Sequence, residues 1–598
     1  MKMLVSDFIV DFLVKKKVKK VFLITGGAIT FIVDAFSRNK KIEYIDCGHE
    51  QASAMMADAY SRLGPNFSAT MATSGPGATN LLTGIACSWF DSVPGIHICG
   101  QVNTHEMSGA VKSTKKVRQV GFQETDIVSM AKPITKFAYR IKSEKEIPYI
   151  FEKAYHISTS GRPGPVLIDI PMNFQRQQIN PKKVKLFKKP ILLKNNLKPK
   201  VDLAYKLLKK SQRPVVLLGG GIEISKSKNK LQKLFKNYKL PYVTTWSGLD
   251  CCYYGQKDYV GTIGVYGNRA ANFTIQNSDL ILNIGSRLDT RITGGMPSSF
   301  ARKAKIISVD IDKNELNKNR GLKNFLKINE DINKFLNLFN KKPKFNCNLD
   351  WKNKCNEWFI KYPSVLQSWR LQKKYVNPYY FIELLSDQLN NKDIIIADDG
   401  AHLTWTVQAF KIKKGQRLFS AFGNSPMGYA LPASIGASIA KKKQRIICLE
   451  GDGSLQINLQ ELHTLTQNKL PIKIIVLNNN GYGIIRQFQE LYLSKRFEAS
   501  VFGKGVSNPD FKKIAHSFNI NYTEIKNHKN LTSKLKKIIN SKRGEFVNVI
   551  IKPNQKIIPK LQFGNPIEDL SPLLNRKEFS NNMIIDKLEK KKKVIEIN

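Results

Sequence analysis

A chain of 598 residues, 42% hydrophobic and 24% charged, is too long for one hydrophobic core and reads as about three domains of ordinary size. No apolar run approaches the roughly 20 residues of a membrane-spanning helix, and the opening MKMLVSDFIVDFLVKKKVKKVFLIT carries Asp7 and Asp11 inside its apolar stretch, unlike a secretory signal, so a cytoplasmic protein without a membrane partner is expected. The formal charge of +49, from 96 Lys+Arg against 47 Asp+Glu, would suit a phosphate backbone, but lysines are spread along the whole chain and no recognition motif accompanies them, so no nucleic-acid partner is expected.

In chain order, KKVFLIT, FSATMATS, GIHICGQV and GPVLIDIP are short apolar runs that alternate with helical stretches, the pattern of a parallel sheet wrapped by helices. They define a first domain over 1–178. Within it, an apolar run ends at Cys47-Gly48, and a glutamate, Glu50, stands where a helical pattern of small residues and methionines begins. A polar, proline-bearing linker follows. A second domain over 190–345 carries RPVVLLGGG, LPYVTTW, DLILNIGS and AKIISVDID, and a third over 370–560 carries DIIIADDG, QRIICLEGDG, IKIIVLNNN and EFVNVIIKP. Residues 561–598 read as a C-terminal extension with frayed final lysines. The fold class is α/β, with three doubly wound parallel-sheet domains. Eight cysteines include no C-x-x-C pair, which fits a reducing compartment, and none of them is assigned chemistry.

The densest chemistry lies in CLEGDGSLQINLQELHTLTQNKLPIKIIVLNNNGYG. One strand ends in Gly451-Asp452-Gly453, an amphipathic helix follows, and the next strand delivers Asn478 and Asn479. Parallel strands open these ends on one edge, where ligands of such folds bind. Asp452 and Asn479, helped by a carbonyl at Gly481, suit a hard cation such as Mg²⁺ that fills its shell with phosphate and water. Gly453 lets a diphosphate approach the backbone, and Ser454 opens a helix whose N–H groups face it. Taken singly, each segment reads as an ordinary turn.

Together they resemble the thiamine-diphosphate motif, a GDG followed by paired asparagines after a helix and a strand. VFLITGGAI, GHEQASAMMADAYSR, MATSGPGATNLLTGIACSWFDSVPGIHICGQV, FQETDIV, PITKF and SGRPGPVLIDIP look like the pyrimidine-binding domain of acetohydroxyacid (acetolactate) synthases. GGGIEIS, NIGSRLDTRITGG and AKIISVDIDKNELNKN resemble that family's FAD region, and SPMGYALPASIGA and GIIRQFQ its active site. The resemblance covers roughly residues 1–560 and implies a pyruvate decarboxylation followed by transfer of the two-carbon unit to a second 2-ketoacid.

By that resemblance Glu50 hydrogen-bonds the aminopyrimidine N1′ and starts the proton transfer from C2 of the thiazolium. Gly26, Gly27, Asn80 and Gly428 fall on the cofactor side, Met427 wedges beneath the cofactor, and Gln123 and Lys136 contact substrate. His402 keeps half of a Gln-His grip on the diphosphate, with Ala401 in place of the Gln. Arg162, Gly220, Gly221, Arg287, Asp310 and Asp312 favour a non-redox FAD. Phe488 stands where the family has tryptophan, which bears on the choice of acceptor. The cofactor's position between subunits implies a homodimer or a tetramer of dimers, compatible with a regulatory subunit. The inserted AVKSTKKVRQV and the C-terminal extension leave open a second reading, a related carboligase of a polysaccharide pathway that uses a keto-sugar acceptor.

Overall fold

The computed structural model describes residues 2–588 apart from 116, 191–195, 319 and 323. The expected frayed lysines after 588 lie outside the described residues. Three six-stranded sheets, parallel throughout, organise the chain. The first holds β1 (Lys20–Leu23), β2 (Glu43–Asp46), β3 (Ser68–Ala72), β4 (Gly95–Gln101), β5 (Phe137–Arg140) and β6 (Pro165–Pro171), in the order β2-β1-β3-β4-β6-β5. The second holds β7 (Pro214–Leu218), β8 (Tyr242–Thr244), β9 (Tyr259–Thr262), β10 (Leu280–Ile284), β11 (Lys305–Asp310) and β12 (Asn324–Asn329), in the order β9-β8-β7-β10-β11-β12. The third holds β13 (Ile394–Ala397), β14 (Arg417–Phe419), β15 (Ile446–Gly451), β16 (Lys473–Asn478), β17 (Asn521–Ile525) and β18 (Glu545–Ile550), in the order β14-β13-β15-β16-β18-β17.

The central strands of each sheet are buried on both faces, as strands covered by helices on either side must be; Val215, Leu217, Ile281, Ile447 and Ile475 are fully enclosed. Each sheet reverses its winding near its middle, between β1 and β3, between β7 and β10, and between β13 and β15. At such a reversal two strand-to-helix turns diverge and leave a crevice at the carboxyl edge. All three crevices are glycine-lined: a Cβ on Gly26 would sit 2.5 Å from the Thr73 Cβ, and one on Gly219 would sit 2.1 Å from the Gly285 carbonyl oxygen. Gly400 and Gly451 line the third.

The first and third sheets share a core. Helix α1 (Glu50–Leu63) crosses helix α2 (Ala430–Ala440) so closely that a Cβ on Gly436 would lie 2.0 Å from the Met56 carbonyl oxygen. Met55, Met56 and Tyr60 pack in one cluster with Tyr429, Leu431 and Ile435. The segment after 560 returns to the middle of the chain, where Ile567, Leu570 and Phe579 join the core containing Phe273 and Trp358. No helix among the described residues is long and apolar enough to cross a membrane.

Candidate active site

Glu50 is the first residue of α1 and is 8% exposed. His49 caps the helix, its ring nitrogen accepting from the Gln51 N–H at 3.1 Å, so the Glu50 carboxylate is not consumed as the cap. Asn80 donates to Glu50 Oε2 at 3.0 Å. The turn after β3 leaves the space around it: a Cβ on Gly77 would lie 3.2 Å from Glu50 Oε1. Gly75, at φ 62°, has the Gln123 Cβ 2.9 Å from its missing side chain, and Gln123 itself takes the left-handed φ of 64°. Gly26, Gly27, Asn80, Gln123 and Glu50 therefore gather at the carboxyl edge of the first sheet.

Lys136 does not join them. It precedes β5, as Arg162 precedes β6, and in a parallel sheet these positions fall at the opposite, amino edge. Its ammonium donates to the Ser160 and Arg162 carbonyls, both at 2.7 Å, and burial together with the Arg162 charge lowers its pKa to about 8. Lys136 braces the loop that carries Arg162. Resemblance alone placed it with the substrate, because a motif match carries no strand direction.

In the third sheet Asp452, 1% exposed, directly follows β15. Its Oδ2 accepts from the Gly481 N–H at 2.9 Å and from Asn508 Nδ2 at 2.7 Å. The side-chain oxygen of Asn479 faces Asp452 Oδ1 at 3.1 Å and the Gly481 carbonyl oxygen at 2.8 Å. Three acceptors facing one another repel, and turning the Asn479 amide would relieve the contact by hydrogen bonding. A shared cation relieves it too: ligands about 2.1 Å from an octahedral ion stand about 3 Å apart along each edge. The Asn479 amide thus stands at such an edge distance from both Asp452 Oδ1 and the Gly481 carbonyl oxygen.

His402 is 4% exposed, and its Nε2 has no hydrogen-bond partner among the described residues. A Cβ on Gly400 would lie 2.5 Å from its ring, and one on Gly451 2.8 Å from its Nδ1, so only glycines admit the imidazole to this crook. Burial lowers its pKa to about 3 and keeps the ring neutral. A buried, neutral, unpartnered ring nitrogen beside the GDG turn fits a phosphate oxygen. Gly453 has no room for a side chain, since its Cβ would lie 2.3 Å from the Tyr482 ring. The Ser454 hydroxyl donates to Glu450 Oε2 at 2.9 Å and accepts from the Gly451 N–H at 2.9 Å. The expected helix after Gly453 is broken, into a 3₁₀ turn Leu455–Asn458 and a helix Glu461–Gln467.

Two carboxyls missed in the sequence hold the loop bearing Met427. Asp398 accepts from the Gly428 and Ala430 N–H groups at 3.1 and 3.0 Å, and Glu450 accepts from that of Leu431 at 2.9 Å. Both are fully buried, and desolvation raises both pKa values, that of Asp398 to about 7. A single proton between them makes such a buried pair tolerable. Ser425 donates to Asp399 at 2.6 Å, which fastens the other side of the half-buried Met427. Phe488 lies on helix α3 (Gly483–Tyr492), 4.9 Å from the Tyr492 ring and 5.8 Å from that of Phe563, a residue of the C-terminal segment.

At the central crevice a cavity of about 640 Å³ is lined by Arg162, Gly220, Gly221, Arg287 and Asp310, and also by Arg62 and Phe422 of the other two units. Asp312 is not on its wall; it pairs with Arg162 at 3.0 Å and caps a short helix. Burial raises the Asp310 pKa to about 6. A second cavity of about 310 Å³ shares Ser286, Arg287 and Asp310 with the first, so the two form an extended cleft. Arg291 Nη1 is buried without a partner among the described residues, and its guanidinium lies 4.6 Å from the Trp246 ring centre. The cleft fits an elongated ligand with both aromatic and anionic parts.

Comparison with known proteins gives the same three-part division. The models of the thiamine pyrophosphate enzyme N-terminal TPP binding domain, central domain and C-terminal TPP binding domain match residues 3–130, 201–338 and 398–549. An acetolactate synthase large subunit of Cyanidium caldarium is 35% identical over 93% of this chain and 94% of its own length. The acetolactate synthase isozyme 2 large subunit of Escherichia coli K12 is 30% identical over 93% of this chain and 96% of its own. The large subunit from Buchnera aphidicola is 31% identical over 96% and 99% respectively.

Proposed function

The chain belongs to the thiamine pyrophosphate enzymes and is an enzyme of the acetolactate synthase type, and from that premise we propose that it joins a two-carbon unit from pyruvate to a second 2-ketoacid, with Mg²⁺ at the diphosphate and FAD in the central cleft. The observation that carries this reading is the Asn479 side-chain amide held 3.1 Å from Asp452 Oδ1 and 2.8 Å from the Gly481 carbonyl oxygen beside the GDG turn.

When bound, thiamine diphosphate supplies a thiazolium that stabilises the carbanion left by decarboxylation. The chain supplies the rest. Asp452, Asn479 and Gly481 would hold the cation, and His402 would donate its ring N–H to the diphosphate. Met427, fixed by Asp398 and Asp399 on either side, would support the bound cofactor. Glu50, with Asn80 on one oxygen, holds or releases a proton at the other, and Gln123 orients substrate across the Gly75 turn. The buried walls keep water away from the reacting centre. Phe488 bounds the space for the acceptor.

FAD is supported by the glycine contact at Gly219 and Gly285 and by the arginines facing the cleft; its role is structural, since the proposed reaction exchanges no electrons with it. Glu50 of one subunit would face the cofactor held by another subunit's third domain, so a homodimer, alone or paired into a tetramer, is the minimal active unit. Exposed Phe122, Phe488 and Phe563 around the site support a covering partner. The large-subunit names of the relatives are compatible with a regulatory subunit. All eight cysteines are unpaired and buried, which supports the reducing environment of the cytoplasm.

Purified protein given pyruvate, thiamine diphosphate and Mg²⁺ is expected to form acetolactate. Turnover only on adding a keto-sugar would overturn this acceptor assignment.

A further inference from the structure

Asn508 lies 29 positions beyond Asn479, in the loop between the short strand Gly505–Val506 and the helix Phe511–Ser517. No motif drew attention to it, yet it touches both halves of the cation site. Its Nδ2 donates to Asp452 Oδ2 at 2.7 Å and to Asn480 Oδ1 at 2.9 Å, which uses both amide hydrogens. Its own oxygen accepts from Gln456 Nε2 at 3.2 Å, and Gln456 also donates to the Asp452 carbonyl at 3.0 Å. Asn480 stands between two ligands, Asn479 and Gly481, and takes the left-handed φ of 57°.

The terminal torsion of an aspartate is broad and has no sharp staggered wells. What fixes the Asp452 carboxylate is therefore its donors. Two N–H groups, from Asn508 and Gly481, converge on Oδ2 and leave Oδ1 turned toward the Asn479 side-chain amide, which also reaches the Gly481 carbonyl. Without Asn508 the carboxylate loses a side-chain donor and keeps backbone N–H groups such as that of Gly481, so its orientation is held less firmly, and the side chain of Asn480 loses its anchor.

We propose that Asn508 is a positioning residue for the divalent cation: it presents a single oxygen of Asp452 to the ion and holds the 479–481 turn in register with it. The inference rests on the cation reading above and adds the group that sets the ion's affinity.

Outer-shell partners of metal ligands typically set affinity by about 10- to 100-fold. In Asn508→Ala and the near-isosteric Asn508→Leu, the Mg²⁺ concentration that half-saturates thiamine diphosphate binding should rise by about 10- to 100-fold. The readout is quenching of intrinsic tryptophan fluorescence in the full-length apoenzyme, so turnover is not needed to see it. At saturating Mg²⁺ the affinity for thiamine diphosphate should return to near the wild-type value. An unchanged Mg²⁺ half-saturation overturns the inference, and so does a loss of thiamine diphosphate affinity that saturating Mg²⁺ does not restore. If wild-type binding needs no divalent cation, the cation reading fails with it; if the wild type needs Mg²⁺ and both variants match it, only the role of Asn508 fails.

Discussion

The Tyr429 hydroxyl donates to Asp58 Oδ1 at 2.6 Å across 371 positions of sequence, and both residues are buried. Asp58 lies two turns along the helix that Glu50 begins, and Tyr429 follows the Met427-Gly428 turn. Arg62 and Ser88 complete the Asp58 carboxylate at 2.7 and 2.8 Å. One hydrogen bond thus ties the helix bearing the proposed acid to the loop bearing the proposed cofactor support. Tyr429→Phe removes only the hydroxyl, and hydrogen bonds to charged groups contribute about 1.5–3 kcal/mol. A stability lowered by that amount, read as a lower urea midpoint with the slope unchanged, is the expected result.

Glu50→Gln keeps the Asn80 contact and the shape of the pocket while removing the proton acceptor. Positioned acid–base groups contribute about 10²- to 10⁴-fold, so kcat for pyruvate should fall by that factor. Thiamine diphosphate affinity, measured by fluorescence quenching, should change little. A variant that retains full turnover would take Glu50 out of the reaction.

His402 gives a pH prediction for the cofactor-free protein. Its folded pKa of about 3 lies below the ordinary value of 6.5 because burial penalises the charged ring. Between those values the unfolded chain binds the proton and the folded one does not, so stability falls as pH drops from 6.5 toward 3. By pH 4 the loss from this residue reaches up to about 3 kcal/mol. His402→Gln should flatten that part of the profile in denaturant melts at pH 4 and pH 7.

Lys136 offers a test that distinguishes a role at the proposed flavin cleft from one at the proposed reacting centre. Lys136→Met removes both donors to the Ser160 and Arg162 carbonyls and loosens the arginine that faces the cavity. Flavin retained on purification, read from its visible absorbance, should fall. With FAD added back to saturation, kcat should recover, whereas a direct substrate contact would leave it low.

Strand positions and the ends of β15 and β16 were legible because buried parallel strands are short apolar runs with glycine or polar residues at their carboxyl ends. Glu50, Asp452 and Asn479 each follow such a run, so their shared edge type could be read from chain direction. The same rule, applied to Lys136, would have set it at the far edge, since it precedes its strand. Asn508 and the Asp58–Tyr429 bond were not legible, because each joins segments whose proximity only the tertiary fold creates. Asp398 and Glu450 left a faint signal, a carboxylate at or just after the last residues of an otherwise apolar strand, and gave no hint that they face each other.

The return of Ile567, Leu570 and Phe579 into the core around Phe273 and Trp358 has a bearing on biosynthesis. During synthesis from the amino end, the middle sheet is complete long before those three side chains emerge, so its interior stays unfinished until the last few dozen residues leave the ribosome. A premature stop near position 560 would spare every strand of the third sheet and instead expose the hollow of the second, leaving a chaperone substrate with an intact GDG turn.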